Sequence, residues 1–285
     1  GSGLKVGLVF DIGGKDDKSF NESAYEGLTA AEENMGIDGT ELEPNDDGSN
    51  REELLRQLAE DGNDLVIGVG FNFADVLPTV AEAFPDTNFA IIDSVVEADN
   101  VASLVFAEEQ GSYLVGAIAA QSTEADNVGF VGGVETDLIK KFEAGYAAGV
   151  AEVHPDATVE VKSLTPDGDF SGFNDSAKGQ TVTEGLYSNG ADVVFHAAGG
   201  SGAGVFEAAA DADRLAIGVD SNQYFQVDEA QQACMLSSML KRVDVAVYDT
   251  IAALAGDSFE ATITTFDLEN GGIDYATAGG QIKDQ

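Results

Sequence analysis

The chain has 285 residues, enough for two lobes, and 44% of them are hydrophobic, so it can bury a real core and is not a disordered polymer. It carries 52 acidic residues against 13 basic ones, a net charge of −39, which excludes nucleic acid as a partner because phosphate binding needs a basic surface. Self-repulsion of that size destabilises a compact fold unless counter-ions screen it, and at about 1 M salt the Debye length falls to ~3 Å. The composition therefore predicts a chain adapted to molar salt, of the haloarchaeal type.

The opening Gly1-Ser2-Gly3 reads as an appended tripeptide, with any export signal and anchor expected upstream of it. The first apolar run, Leu4–Phe10, then stops at Asp11 and passes into Gly13-Gly14 and the polar cluster Lys15 to Ser19, followed by Phe20 and Asn21. This reads as a strand running into the rim of a ligand cleft. Further strand-like runs at Leu65–Val69 and Asn88–Ile92 alternate with helical spacing. Over Glu52–Glu60, for example, Leu54, Leu55, Leu58 and Ala59 share a face while the acids point away. A strand at Val101–Phe106 leads into a second series at Val128–Val131, Thr158–Val161, Val193–Phe195, Leu215–Val219 and Met235–Ser238. Helices are expected between them around Leu138–Val153, Ala177–Ser188 and Val205–Ala212. A last helix, Val243–Ala255, and a strand, Ala261–Phe266, fit best by returning to the first lobe.

Two βαβ series define an α/β protein of two doubly wound parallel-sheet lobes joined by a hinge, with residues 1–107 and 240–267 in lobe 1, and 108–239 and 268–285 in lobe 2. No apolar run approaches the ~18 residues of a membrane span. The single cysteine, Cys234, allows no internal disulfide and reads as a small buried hydrophobe.

In open parallel sheets ligands bind beyond the carboxyl ends of the strands, so the residues that follow each strand are the candidates. They are Asp11, Gly13 and Gly14; Gly70 to Phe73; Asp93; Gly132 and Gly133; Gly199 and Gly200; Asp220 to Gln223; and Lys241 with Arg242. Three carboxylates, one lysine, exposed glycine amides and nearby rings suit a neutral, hydroxylated, partly aromatic ligand. Any one of these aspartates could be only a helix cap or turn residue. Lys241 is expected to open a helix, where the macrodipole disfavours a cation by ~0.3–1 kcal/mol, and so to have a role of its own.

The glycine run GGSGAGVF follows a strand and precedes a helix, but G-x-G-x-x-G fails at Val205, and no phosphate-binding P-loop is present. Enzyme signatures are thin: HExxH, GxSxG and EF-hand spacings are absent, His154 reads as a surface residue and His196 as a packed core histidine. Neither a cofactor nor a metal site is expected, since adjacent acids such as Asp16-Asp17 are common in so acidic a chain.

FDIGGKDDKSFNESAYEG, VGFNFADVL, FAIID, GSYLVGAIAA, VGFVGG, FNDSAKG, HAAGGSGAGVFEAA, IGVDSNQY and SSMLKRVDVAVYD occur in that order along the chain. In these motifs it resembles the basic membrane protein family, the purine nucleoside receptor-like substrate-binding lipoproteins of ABC importers. The resemblance implies a type I periplasmic-binding-protein fold. It also implies a purine nucleoside (guanosine, inosine or adenosine) held between the lobes, and delivery to an ABC permease from the extracellular face of the membrane. Asp11 and Asn21 match the family's polar contacts, Phe20 a stacking ring, Asp93 the carboxylate on the base, and Asp220 with Lys241 the pair on the ribose hydroxyls. Phe173 and Phe206 are both candidates for the second ring, Phe173 the preferred one. The family's lipid-bearing cysteine is missing from this sequence. A type I sugar-binding protein is the nearest rival, though such sites lean on Trp and Arg, and the chain has no Trp and four Arg. A nucleoside hydrolase is the rival from another class.

Overall fold

A computed structural model describes residues 3–282; Gly1 and Ser2 of the opening tripeptide, and the last three residues of the second lobe's expected span, lie outside the described residues. Contacts along the chain separate two units, residues 3–16, 20–106 and 242–266 in the first, and 17–19, 107–241 and 267–282 in the second.

The first unit runs β1 (Lys5–Val9), α1 (Phe20–Met35), β2 (Asp38–Leu42), α2 (Arg51–Glu60), β3 (Leu65–Gly68), α3 (Leu77–Ala83), β4 (Asn88–Ile92) and β5 (Val101–Phe106). The second unit follows with α4 (Glu108–Ser122), β6 (Asn127–Val134), α5 (Asp137–Val153), β7 (Thr158–Thr165), α6 (Ser176–Ser188), β8 (Val193–Ala197), α7 (Gly202–Ala212), β9 (Leu215–Asp220), the short α8 (Glu229–Gln232) and β10 (Met235–Lys241). The chain then adds α9 (Val243–Ala255) and β11 (Ile263–Phe266) to the first unit and β12 (Ile273–Tyr275) to the second.

Each unit is a six-stranded sheet. The first has the order β11-β5-β4-β3-β1-β2 with every pairing parallel, and the second has β12-β10-β9-β8-β6-β7, parallel except for β12. β3 reads LVIG and is buried throughout, as a strand covered on both faces must be. Leu54, Leu55 and Leu58 of α2 pack with Val66, Phe73, Leu77 and Val80 on one face of the first sheet. Leu186, Val194, Val205, Ala208 and Ala209 do the same work in the second.

Two strands carry no apolar run and were not expected. β2 is DGTEL, an edge strand recognisable only from its pairing with β1, and β12 has three residues, antiparallel to β10. Lys241 does not open a helix: it is the last residue of β10, and α9 begins two residues later at Val243. The macrodipole argument therefore does not apply to it. Among the described residues, no helix is long and apolar enough to cross a membrane.

Candidate functional site

In the first unit the carboxyl ends of β4, β3 and β1 lie side by side. Asp11, just past β1, is 9% exposed and densely bonded. Its Oδ1 accepts from the Ile12 N–H at 2.8 Å and from Arg51 Nη2 at 2.7 Å, and its Oδ2 accepts from Asn72 Nδ2 at 3.2 Å. Gly70, at φ +121°, must be glycine, because a Cβ there would lie 2.5 Å from Asp11 Oδ2. Arg51 also donates to the Gly48 carbonyl and sits 5.8 Å from the centroid of the buried Phe73 ring.

Asn21 is 1% exposed and its amide holds the loop after β1: Oδ1 accepts from the Asp11 N–H at 3.0 Å, and Nδ2 donates to the Ile12 carbonyl at 3.3 Å. Its side chain braces the loop that carries Asp11. Phe20 opens α1 and is half-buried. Asp93 follows β4 with φ 69°, its N–H donating to the Leu104 carbonyl.

In the second unit the ends of β10, β9, β8 and β6 lie side by side in the same way. Asp220 closes β9 opposite Leu240 of β10, which places Lys241 one residue beyond that register pair. Asp220 has φ 67° and is 5% exposed, and its Oδ2 accepts a hydrogen bond from the Ser19 hydroxyl. Non-glycine residues at φ near +60° are uncommon and cost of order 1 kcal/mol or more, so their persistence points to a positional demand. Asp93 and Asp220 occupy matching places, at the carboxyl end of the third strand from the matching sheet edge, with nearly the same φ. Lys241 is 2% exposed, with Nζ 3.1 Å from Glu108 Oε1 and 5.5 Å from the centroid of Phe142.

The glycine loop after β8 is held from below. Ser201, fully buried, donates to the Gly172 carbonyl and accepts from the Asp175 N–H, both at 2.7 Å. This ties the turn Phe170–Phe173 to Gly199 and Gly200, each of whose would-be Cβ lies within 3.5 Å of the Phe173 carbonyl. The half-buried Phe173 ring lies over Gly133 at the end of β6, where a Cβ would come within 2.5 Å of it. Phe206 is different: at 3% exposed it packs edge-to-face on His196 at 5.2 Å, inside the hydrophobic cluster.

His196 is fully buried. Its Nδ1 accepts from the Ala198 N–H, so Nε2 carries the proton toward Gln223 Oε1 at 2.9 Å. Burial pushes its pKa down to about 4, with the Gln223 bond opposing, so the ring is neutral and structural. Gln223 also accepts from the Val219 N–H and donates to the Lys18 carbonyl, which fixes residues 17–19 beside Asp220. His154 caps the end of α5 and pairs with Asp126 at 2.8 Å, and Cys234 is buried with its thiol pushed up by desolvation. Among the described residues, no group of three or more His, Cys, Asp or Glu could hold a metal.

Two residues central to this geometry escape the strand-end reading. Arg51 follows β2 and Glu108 follows β5, and neither strand entered that inventory. The available signal for Arg51 was a cation in the first turn of a helix, where the macrodipole opposes it; the argument applied to Lys241 fits Arg51 instead.

Two parallel-sheet units with polar residues converging at the carboxyl ends of their strands define a solute-binding protein. The fold matches an ABC transporter solute-binding protein from Aeropyrum pernix K1 with a TM-score of 0.86, at 29% identity, over 99% of this chain and 82% of that one. The chain belongs to the family described as PnrA-like ABC transporter substrate-binding proteins, which matches residues 4–282. It is 36% identical to the ABC transporter nucleoside-binding protein BmpA of Lactococcus lactis over 99% of this chain and 84% of that protein. It is likewise 36% identical to a CD4+ T-cell-stimulating antigen of Listeria monocytogenes over 94% of this chain and 78% of that protein. The family is one of binding proteins, which removes the hydrolase reading.

Proposed function

We propose that this chain captures a purine nucleoside and delivers it to an ABC permease from the extracellular face of the membrane, where a lipid anchor holds it. The observation that carries this reading is the placement of Asp220 and Lys241 at adjacent strand ends, both buried. A carboxylate and an ammonium at adjacent strand ends can bind vicinal hydroxyls in complementary senses: the carboxylate accepts from one O–H, and the ammonium donates to an oxygen. Asp93 accepts from a purine N–H, and Phe20 and Phe173 supply ring faces for the base. The amides of Gly199 and Gly200 line the approach, and Asp11 with Asn21 shapes the first unit's share. A neutral ligand is favoured, since 52 acidic residues repel an anion. The lipoprotein name of a relative from Pyrococcus furiosus, 33% identical over the whole of this chain, supports the anchor.

Calorimetry with guanosine, inosine and adenosine tests the reading. Asp220→Ala is expected to lose ~1–3 kcal/mol of affinity by leaving a ribose hydroxyl unpaired. Unchanged binding in that variant would refute the ribose assignment. The acid excess also supports adaptation to high salt: the melting temperature should rise as KCl goes from 0.01 M to 1 M, while the Debye length falls from ~30 to ~3 Å. A flat response sinks that part.

A further inference from the structure

Glu108, buried against Lys241, has no place in the recognition scheme above. Both side chains are at most 2% exposed, with Nζ 3.1 Å from Oε1. A pair buried this deeply is a poor way to gain stability, because its desolvation penalty rivals its Coulombic gain and a well-packed apolar pair does as well. Its position is more informative than its energy. Glu108 begins α4, where the helix dipole favours an acid, and Lys241 ends β10 next to Asp220.

The scaffold under Glu108 is rigid. α4 and α5 touch backbone to backbone: a Cβ on Gly145 would lie 2.3 Å from the Glu109 carbonyl, and one on Gly149 2.0 Å from that of Tyr113. On the other side, Gly111 of α4 packs against Met239 of β10 and Ile273 of β12. The same close approach brings Phe142 of α5, 3% exposed, beneath the ammonium at 5.5 Å from Nζ. The ammonium is thus restrained by a carboxylate on one helix and a ring face on another.

We propose that Glu108 is a positioning residue for ligand selectivity: it fixes the direction of the Lys241 ammonium and thereby sets the preference for a ligand carrying sugar hydroxyls. The inference rests on the nucleoside reading above and adds a residue to it. A lysine is a flexible point charge on four methylenes, and it discriminates among hydroxylated ligands only when its direction is fixed beforehand. Glu108, in ion-pair contact with the ammonium at 3.1 Å, draws it toward α4 and fixes that direction before any ligand arrives.

The experiment compares guanosine with 2′,3′-dideoxyguanosine by calorimetry on the wild type, Glu108→Gln and Glu108→Asp, with melting temperatures recorded for each. The wild type is expected to prefer guanosine. Glu108→Gln should cost guanosine about tenfold and the dideoxy ligand much less, so the preference shrinks. Glu108→Asp keeps the charge and should retain more of it. A purely structural Glu108 would lower the melting temperature and leave the preference ratio intact, and that result overturns the proposal. If the wild type binds neither ligand, the nucleoside reading fails and this inference falls with it. If it binds and discriminates while Glu108→Gln discriminates equally, only the positioning role is lost. Should either variant fail to fold, the ¹⁵N ammonium resonance of wild-type Lys241, assigned by its loss in Lys241→Met, decides. A resolved, slowly exchanging signal supports the fixed ammonium, and an averaged one overturns it.

Discussion

The two units are built on one strand order and differ in how they hold their charged residues. In the first, Asp11 and Arg51 are each 12% exposed in their side chains, and Asp11 also takes bonds from the Ile12 N–H and the Asn72 amide. In the second, Lys241 and Glu108 are exposed by 2% and 1%. The helix that carries each pair is packed in the same sense. α2, which bears Arg51, meets α3 through Leu54, Leu55, Leu58, Leu77 and Val80, whereas α4, which bears Glu108, meets α5 through glycines at backbone contact, as α6 meets α7 and, in the first unit, α1 meets α9 at Gly27. One fold thus supports two mounts: a cushioned one, where side chains can adjust, and a rigid one, where backbone touches backbone and nothing yields. Lys241, which we propose reads the ligand's hydroxyls, sits on the rigid mount, where its direction can be held to tenths of an ångström.

The largest test of this contrast is to break each ion pair from its cationic side. Lys241→Met strands a carboxylate that is almost wholly buried, and breaking such a pair costs ~3–5 kcal/mol. Arg51→Met leaves Asp11 with two donors and water close by, so its cost should be about half as large. Urea unfolding of both variants, followed by hydrogen exchange in each unit, measures this. Equal losses would show that burial does not separate the two mounts.

pH divides the units next. His196 falls from an unfolded value near 6.5 to about 4 in the fold. The unfolded chain therefore binds the extra proton first as pH falls. The stability it contributes is whole above pH 6.5 and is lost on the way down to about pH 4, a total of ~3 kcal/mol. In the first unit, desolvation and then Asp244 raise Glu26 and Asp249 on the α1–α9 face. Those two acids protonate in the fold before they do in the unfolded chain, so they favour the fold as pH falls. Exchange protection of β8 and β9 should weaken between pH 6.5 and 4.5 in the wild type, and His196→Gln should remove that slope. Parallel pH curves for the two proteins would refute the buried-neutral account.

A smaller effect is expected from the glycine seam itself. Gly149→Ala drives a methyl group to 2.0 Å from the Tyr113 carbonyl, and neither backbone can move aside cheaply. Overpacking of this kind costs ~1–3 kcal/mol, and the loss should be confined to the second unit by exchange. Loss spread evenly over both units would contradict a local seam.

Much of this arrangement was legible in the sequence, for a physical reason. β3, β4, β8 and β9 are central strands, buried on both faces, and so they read as unbroken apolar runs ending at Gly70, Asp93, Gly199 and Asp220. β2 and β12 are edge strands with one neighbour each; DGTEL has no apolar signature, and its strand character comes from pairing with β1. Arg51 vanished with β2. Glu108 was lost because Val101–Phe106, though read as a strand leading into the second series, had no end of its own among the candidate positions. Phe206 was ambiguous because a ring after a glycine loop faces core or ligand according to helix phase, and here α7 turns it onto His196. The αL backbone at Asp93 and Asp220 leaves no mark in composition, and only the shared strand order makes their equivalence visible.

The finest test lies within one helix. α6 holds two glycines with opposite surroundings: a Cβ on Gly179 would lie 2.3 Å from the Ser201 carbonyl, while one on Gly185 meets nothing within 4 Å. Gly185→Ala removes backbone entropy from the unfolded chain and adds a good helix former, so it should gain ~0.5–1 kcal/mol. Gly179→Ala pushes on Ser201, which bonds the Gly172 carbonyl and holds the turn carrying Phe173. That variant should lose stability, and nucleoside affinity should fall with it although residue 179 is not among the proposed ligand contacts. Urea unfolding and calorimetry on the pair give the signs directly. If both alanines stabilise, the α6–α7 seam is looser than a backbone contact, and the rigid mount reduces to α4–α5 alone.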